Sequence, residues 1–418
     1  MIQESSIRMF DLVMSLSEAV DLVDQSVTNH HMQVAYIAFS IAQELRLSRD
    51  QQTELLFAGA LHDIGALSLK ERVDTFDFEY NLSDAHAELG YKLLKHSILF
   101  SKIAQIIRFH HVHWDNGKGQ AFFNHQVSLG SHILHVADRI AVLIKKNVFI
   151  LSQRKEIISK IKENNHTHFH PEIVQAFEGI AKKEAFWLDL ASKSIDSILL
   201  NQCGIGLVEL DMNRLIEITK LFSKIIDFRS KFTASHSSGV AAISEKLSML
   251  YGFSEKESQL MRVAGYLHDI GKLAIPTEIL DKPGKLTKEE YEIIKSHTYY
   301  TYRILERAGL HQIKGWAAFH HEQLDGKGYP FRLSGDELTL KSRILAVADV
   351  YTALTEDRPY RKGMSKEQAL TIILSMVEKR KLDSNVVKVL VDNLEVIEST
   401  RNQAQSSTLE EYDDFVSE

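Results

Sequence analysis

Apolar positions recur at helical spacing along most of the chain. Leu12, Val13, Leu16, Val20 and Val23 mark one face of an amphipathic helix over residues 9–28. A helix follows residues 28–35 and runs to about residue 45. Residues 55–61 form an apolar run that stops at His62-Asp63-Ile64-Gly65. The pattern predicts further helices around 83–95, 103–111 and 133–144, and a helical stretch over 151–200. Pro171 suits a helix start, where a missing N–H costs nothing. Residues 202–206, with two glycines, read as a linker, and 211–228 as a long helix into the second half. There the apolar run 261–267 reads as a buried helix ending in His268-Asp269-Ile270-Gly271-Lys272.

Composition sharpens this all-α reading. Five prolines and twenty glycines in 418 residues, with abundant Leu, Ile, Lys and Glu, favour helix. The length suggests two domains, each with its own core. A net charge of −7 argues against a large basic surface for duplex nucleic acid. One cysteine, Cys203, excludes an intrachain disulfide and fits a reducing, cytoplasmic setting. The first dozen residues lack a signal-peptide pattern, and no apolar run is long enough to span a bilayer, so no membrane partner is expected. Twenty histidines remain to be explained.

The histidines repeat. His30 to His62 is 32 residues, as is His236 to His268. His86 to His110 is 24, against 23 from His297 to His320. His111 to Asp138 is 27, against 28 from His321 to Asp349. Such matching points to an internal duplication. It also selects His30 over His31 as the counterpart of His236. The halves differ most between the His-Asp pair and the next histidine, 24 residues in the first and 29 in the second.

In the second half His236, His268, Asp269, His297, His320, His321 and Asp349 supply five imidazoles and two carboxylates. That suffices for two metal ions, with Asp269 able to bridge them. Neutral imidazole suits iron, manganese, cobalt or zinc, and two such ions lower the pKa of a shared water and neutralise phosphoryl oxygens. Ligands this scattered meet only in a folded bundle of helices that face inward.

The second half resembles an HD-GYP domain, a branch of the HD phosphohydrolase superfamily. The resemblance rests on HDIGK at 268–272, Ile275-Pro276, KPGKL at 282–286, HHEQLDGKGYP at 320–330, RIL at 343–345 with Ala348-Asp349-Val350, and RPYR at 358–361. It spans about 208–395. It implies a helical bundle with two divalent ions, iron or manganese foremost, and hydrolysis of a cyclic dinucleotide, cyclic di-GMP or 3′,3′-cyclic GMP-AMP, to a linear product. It further implies that His236, His268, Asp269 and Asp349 hold one ion, and Asp269, His297, His320 and His321 the other. Asp269 and Lys272 become the catalytic residues, with Lys272 meeting the scissile phosphate. Gly328, Tyr329 and Pro330 shape the substrate side, and Arg343 and Arg358 are candidate phosphate or base contacts. The chain departs from the family in two places. No carboxylate nearer than Asp227 precedes His236, which favours two metals over three. Thr352 stands where the family often has Asp.

The first half resembles a plain HD domain. It keeps a candidate second metal set, His30, His62, Asp63, His86, His110, His111 and Asp138. Ala66 replaces the lysine, the KPG loop is missing, and no Tyr-Pro follows residues 115–120. A regulatory or partly degenerate copy is expected, with a second active centre as the other reading. For His31, His113, His125 and His311 a structural role outweighs a ligand role; His132 and His135, near Asp138, could support it, with core or surface the favoured reading. The expected layout is two tandem HD-type bundles from an internal duplication: 1–204, a catalytic 205–402, and an acidic, mobile tail over 403–418. A homodimer stays open. Two other functions remain in view: hydrolysis of a different nucleotide, and a signalling module that binds metal or nucleotide without turnover.

Overall fold

The computed structural model describes residues 7–22, 29–66, 85–203, 209–228, 233–280, 282, 284–357 and 362–417. Among these the only strands are Ala121–Phe122 and His125–Gln126, one short antiparallel pair. The rest is helix and turn, as the all-α reading expects. No described helix is long and apolar enough to cross a membrane.

The chain divides into two units. One is Leu16–Val208. The other joins Met1–Ser15 to Glu209–Glu418, so the expected first boundary is corrected. A bridge between Arg8 and Glu209, with Leu210 N–H donating to Ile7 O at 3.0 Å, ties the early segment to the later unit.

Each unit is built on the same helical hairpin. In the amino-terminal unit His30–Glu44 runs back against Arg49–Leu61; in the carboxy-terminal unit His236–Leu250 runs back against Glu255–Leu267. Ser48 and Ser254 open the second helix of each hairpin with a capping box, closed by Gln51 and Glu257. This reciprocal pairing satisfies two otherwise orphaned donors. Where the helices cross, a Cβ on Gly59 would lie 2.6 Å from Ala35 Cα, and one on Gly265 would lie 2.4 Å from Ala241 Cα. Glycine is required there because the two backbones touch. Ser48, Gly59 and His62 each precede their counterparts Ser254, Gly265 and His268 by 206 residues. The duplication inferred from histidine spacing thus extends to caps and helix crossings.

The same offset relates Asp21 and Asp227, each the last residue of the helix that precedes the first ligand helix. Asp227 Oδ2 accepts the Ser237 N–H at 3.0 Å, and Asp21 Oδ1 pairs with the His31 ring. Asp227 therefore caps a helix N-terminus, the favourable end for a carboxylate. His31, expected to be structural, thus turns its Nδ1 to a carboxylate.

The acidic end is the clearest correction. Residues 394–417 form one helix, Leu394–Ser417, packed on His236–Leu250. Arg401, Gln405, Thr408 and Phe415 are buried along one face. Glu411 pairs with Lys220 and Lys224, each at 2.7 Å, and Phe228 packs on Tyr412 and Phe415. This face is largely polar, so apolar periodicity did not reveal it.

Replacing Gly265 with valine is expected to destabilise the carboxy-terminal unit by about 1–3 kcal/mol, since main chain must move to admit the side chain. Urea unfolding beside the unaltered chain checks this, and an unchanged midpoint would contradict the close crossing.

Candidate metal centre

The helix Glu255–Leu267 ends at His268, and Asp269 begins the 3₁₀ turn Ile270–Ala274. That ending projects two adjacent side chains inward. It is fixed by Gly271, where a Cβ would lie 1.9 Å from His297 O. Thr301 reinforces the junction: its hydroxyl donates to His268 O at 2.9 Å and accepts Gly271 N–H at 3.0 Å. The turn therefore lies directly against Lys288–Arg307, the helix that carries His297. His236 opens its helix, His320 and His321 follow the short helix Lys314–Ala318, and Asp349 lies within Leu340–Thr355.

Asp269 stands between two groups of imidazoles. Its Oδ2 lies 3.2 Å from His268 Nε2 and 3.9 Å from His236 Nε2. Its Oδ1 lies 3.3 Å from His297 Nε2 and 3.9 Å from His320 Nε2. Asp349 Oδ1 joins the first group, 3.3 Å from His236 Nε2 and 3.9 Å from His268 Nε2. His321 joins the second, with ligand-type atoms of His297, His320 and His321 within 4.8 Å of one another. All seven expected residues therefore lie together around Asp269 and Asp349.

The tautomers follow from the outer nitrogens. His268 Nδ1 is 2.7 Å from Gly265 O, His297 Nδ1 2.6 Å from Ile294 O, and His320 Nδ1 2.7 Å from Ala317 O. A carbonyl only accepts, so each Nδ1 carries the proton and each Nε2 presents a lone pair inward. His268 Nε2 is buried with no hydrogen-bond partner. This donor set fits divalent metal.

Electrostatics divides the two groups: burial alone would lower the His268 imidazole, but the Asp269 and Asp349 carboxylates outweigh it and raise it above its ordinary value, whereas the second group is pushed down. Burial pushes the His297 imidazole down to about 3 and His320 well below its ordinary value. Both shifts favour the neutral imidazole, the form that ligates metal. Burial alone would raise the Asp269 carboxyl, but the Lys272 ammonium and the His268 ring outweigh it and hold it well below the usual range. Lys272 Nζ sits 2.6 Å from Asp269 Oδ2, and its side chain is 26% exposed.

The loop after His321 is anchored by a residue that the sequence reading passed over. Buried Glu322 accepts the N–H groups of Phe331, Arg332 and Leu333 at 2.7, 3.1 and 3.1 Å. A Cβ on Gly328 would lie 2.4 Å from Glu322 Cα, so the loop closes tightly on itself. It places the Tyr329 ring 4.9 Å from that of His321, and Tyr329-Pro330 is a cis peptide. A buried acid among exposed main-chain donors is legible only in the fold; its one sequence signal is its place directly after the paired histidines.

Arg343 does not join the cluster. Its guanidinium donates to Asp383 Oδ2 at 2.9 Å, Gly335 O at 2.7 Å and Leu338 O at 2.9 Å. Six helical residues separate it from Asp349, roughly 240° of rotation, which turns it to a different face. In this structure the guanidinium, expected to be a substrate contact, instead clasps these three partners. Arg358 lies outside the described residues. Thr352 is buried and donates to Ala348 O within its own helix.

The amino-terminal unit repeats the cluster. Asp63 Oδ2 lies 3.2 Å from His62 Nε2, and Oδ1 lies 3.3 Å from His86 Nε2 and 3.7 Å from His110 Nε2. His30 Nε2 is 3.3 Å from Asp138 Oδ1, and His111 Nε2 is 2.9 Å from His86 Nε2. His62 and His110 turn Nδ1 to Gly59 O and Ile107 O. The charges differ. Ala66 replaces Lys272, while buried Arg139 donates to Asp138 Oδ2 at 2.6 Å, where the other unit has Val350. His132 Nε2 bonds Gly119 O, and His135 packs on His113.

Comparison with known proteins follows this geometry. The HD domain family profile matches the chain twice, over residues 14–173 and 220–386. The chain is 31% identical over 391 residues to 3′3′-cGAMP-specific phosphodiesterase 1 of Vibrio cholerae, covering 90% of each chain. It is 38% identical over 168 residues to a cyclic di-GMP phosphodiesterase of Thermotoga maritima, covering 40% of this chain and 46% of that one. Its fold matches the crystal structure of the V. cholerae cyclic GMP-AMP specific phosphodiesterase V-cGAP3 with a TM-score of 0.62, at 24% identity over 94% of this chain and 98% of that one.

Arg343→Ala is expected to cost about 2 kcal/mol or more, because three bonds to a charged donor are lost. Metal uptake should be unchanged. Unfolding and metal analysis check both, and an unchanged unfolding midpoint would contradict the clasp.

Proposed function

The chain is a member of the HD domain family, and from that premise we propose that its carboxy-terminal unit is a metal-dependent cyclic-dinucleotide phosphodiesterase. The foremost substrate is 3′,3′-cyclic GMP-AMP, because the relative acting on it matches both halves of this chain. Cyclic di-GMP is the second reading, supported by a relative matching over 40% of the chain.

One observation carries the proposal: the two oxygens of Asp269 face two separate imidazole groups. His236, His268, Asp269 and Asp349 would hold one divalent ion; Asp269, His297, His320 and His321 would hold the other. Iron and manganese suit this set. Such ions supply an activated water and Lewis-acid neutralisation of phosphoryl oxygens. The chain's own residues do the rest. Asp269 stays ionised, which keeps a bridging carboxylate available. Lys272 is exposed enough to turn its ammonium from Asp269 to a bound phosphodiester, offsetting charge that develops there. Gly328, Tyr329 and Pro330 line the substrate side, with Glu322 holding their loop. In the net reaction water's oxygen joins phosphorus, the P–O3′ bond breaks, and O3′ leaves as a hydroxyl on a linear dinucleotide.

The amino-terminal unit reads as a regulatory copy. Its ligand geometry supports metal binding, whereas Ala66 offers no ammonium and the Arg139 guanidinium is committed to Asp138.

Chromatography of products from Mn(II)-loaded chain tests this. Linear product is expected from 3′,3′-cyclic GMP-AMP, and none from His268→Ala/Asp269→Ala. Equal rates in that variant would overturn the assignment. His62→Ala/Asp63→Ala is expected to keep most activity; complete loss in a folded chain would contradict the regulatory reading.

A further inference from the structure

His236 is held differently from its neighbours. His268, His297 and His320 turn Nδ1 to main-chain carbonyls three residues earlier. His236 is the first residue of its helix, and the carbonyl three residues back, that of Thr233, accepts the His236 main-chain N–H at 2.9 Å. On the Nδ1 side stands Glu356 Oε1, 2.9 Å away. The two atoms are at hydrogen-bond distance, though their angles fall outside those of a hydrogen bond. Glu356 is only 8% exposed. A carboxylate so buried costs free energy unless a polar group faces it, and His236 faces it.

Glu356 is held in turn by the helix Leu394–Ser417. Gln405 Nε2 reaches Glu356 Oε2 at 3.5 Å and Ser235 O at 3.4 Å. Arg401 Nη1 donates to Gln405 Oε1 at 2.6 Å, and its Nε donates to Glu398 Oε2 at 3.2 Å. Tyr351, two residues from Asp349, donates to that same Glu398 oxygen at 2.7 Å. The approach depends on Gly239, where a Cβ would lie 2.9 Å from Gln405 Nε2. A buried polar chain thus runs from the end helix to a ligand of the centre. In the amino-terminal unit the residue seven after Asp138 is Lys145, which pairs with Glu156.

We infer that Glu356 is a positioning residue, which accepts the Nδ1–H of His236 and aims its Nε2 at the ion, and that the C-terminal helix holds Glu356 for this through Gln405. The inference rests on the metal-centre reading above. Partners of this kind set ligand tautomer and orientation.

Two substitutions separate position from charge. Glu356→Gln keeps the reach and an accepting oxygen but loses the charge; Glu356→Asp keeps the charge and draws it back by one methylene. Both are made in the full chain carrying His62→Ala/Asp63→Ala, so that only one centre takes up metal. Mn(II) is titrated into chelator-stripped protein by calorimetry, with circular dichroism confirming the fold. Glu356→Asp is expected to weaken Mn(II) binding by about 10–100-fold, and Glu356→Gln to stay close to the chain with Glu356 intact. Unchanged binding in Glu356→Asp, or weak Gln with tight Asp, overturns the inference. If the chain with Glu356 intact takes up no Mn(II), the metal-centre reading itself has failed.

Discussion

A carboxylate buried among five imidazoles is the constraint on which the carboxy-terminal unit depends. Asp269 is almost fully buried, and its two oxygens face different partners. An ionised group there is tolerable only where surrounding dipoles and cations are prearranged. The fold prearranges them through backbone. Helical carbonyls fix the outer nitrogens of His268, His297 and His320, and glycines at 265 and 271 bring the helices close enough for the rings to converge. Chemistry and packing are one problem here: a side chain at either glycine moves main chain that carries a ligand.

Duplication lets the two units serve as controls for each other. Both keep the helical hairpin, the capping serine, the crossing glycine and the cluster of ligand-type atoms. They part where a reaction would need them to. Lys272 faces the carboxy-terminal centre as a half-buried cation, while the amino-terminal unit buries Arg139 against Asp138. The loop after the paired histidines closes on Glu322 in one. In the other it is tied by main chain, with Trp114 N–H donating to His168 O and Asp115 N–H to Thr167 O. Geometry that can bind metal is retained in both, and the groups that would meet a substrate are found in one.

Much of this was legible in the sequence. Histidine spacing exposed the duplication and pointed to the histidines and aspartates that cluster, because metal-ligand types at matching intervals are rare by chance. Apolar periodicity located the helices for the same reason that it builds them. What escaped were residues whose role is set by polar burial. Glu322 and Glu356 look like surface acids until the fold encloses them, and Arg343 sits in a motif yet turns to Asp383. The C-terminal helix was read as a mobile tail because its buried face carries Arg401, Gln405 and Thr408 instead of a leucine stripe.

The most direct test of the central claim is electron paramagnetic resonance of the chain carrying His62→Ala/Asp63→Ala, loaded with Mn(II). Bridging by Asp269 predicts an exchange-coupled two-manganese spectrum that Asp269→Asn abolishes. A spectrum of isolated Mn(II) ions alone, at full loading of that centre, would contradict it.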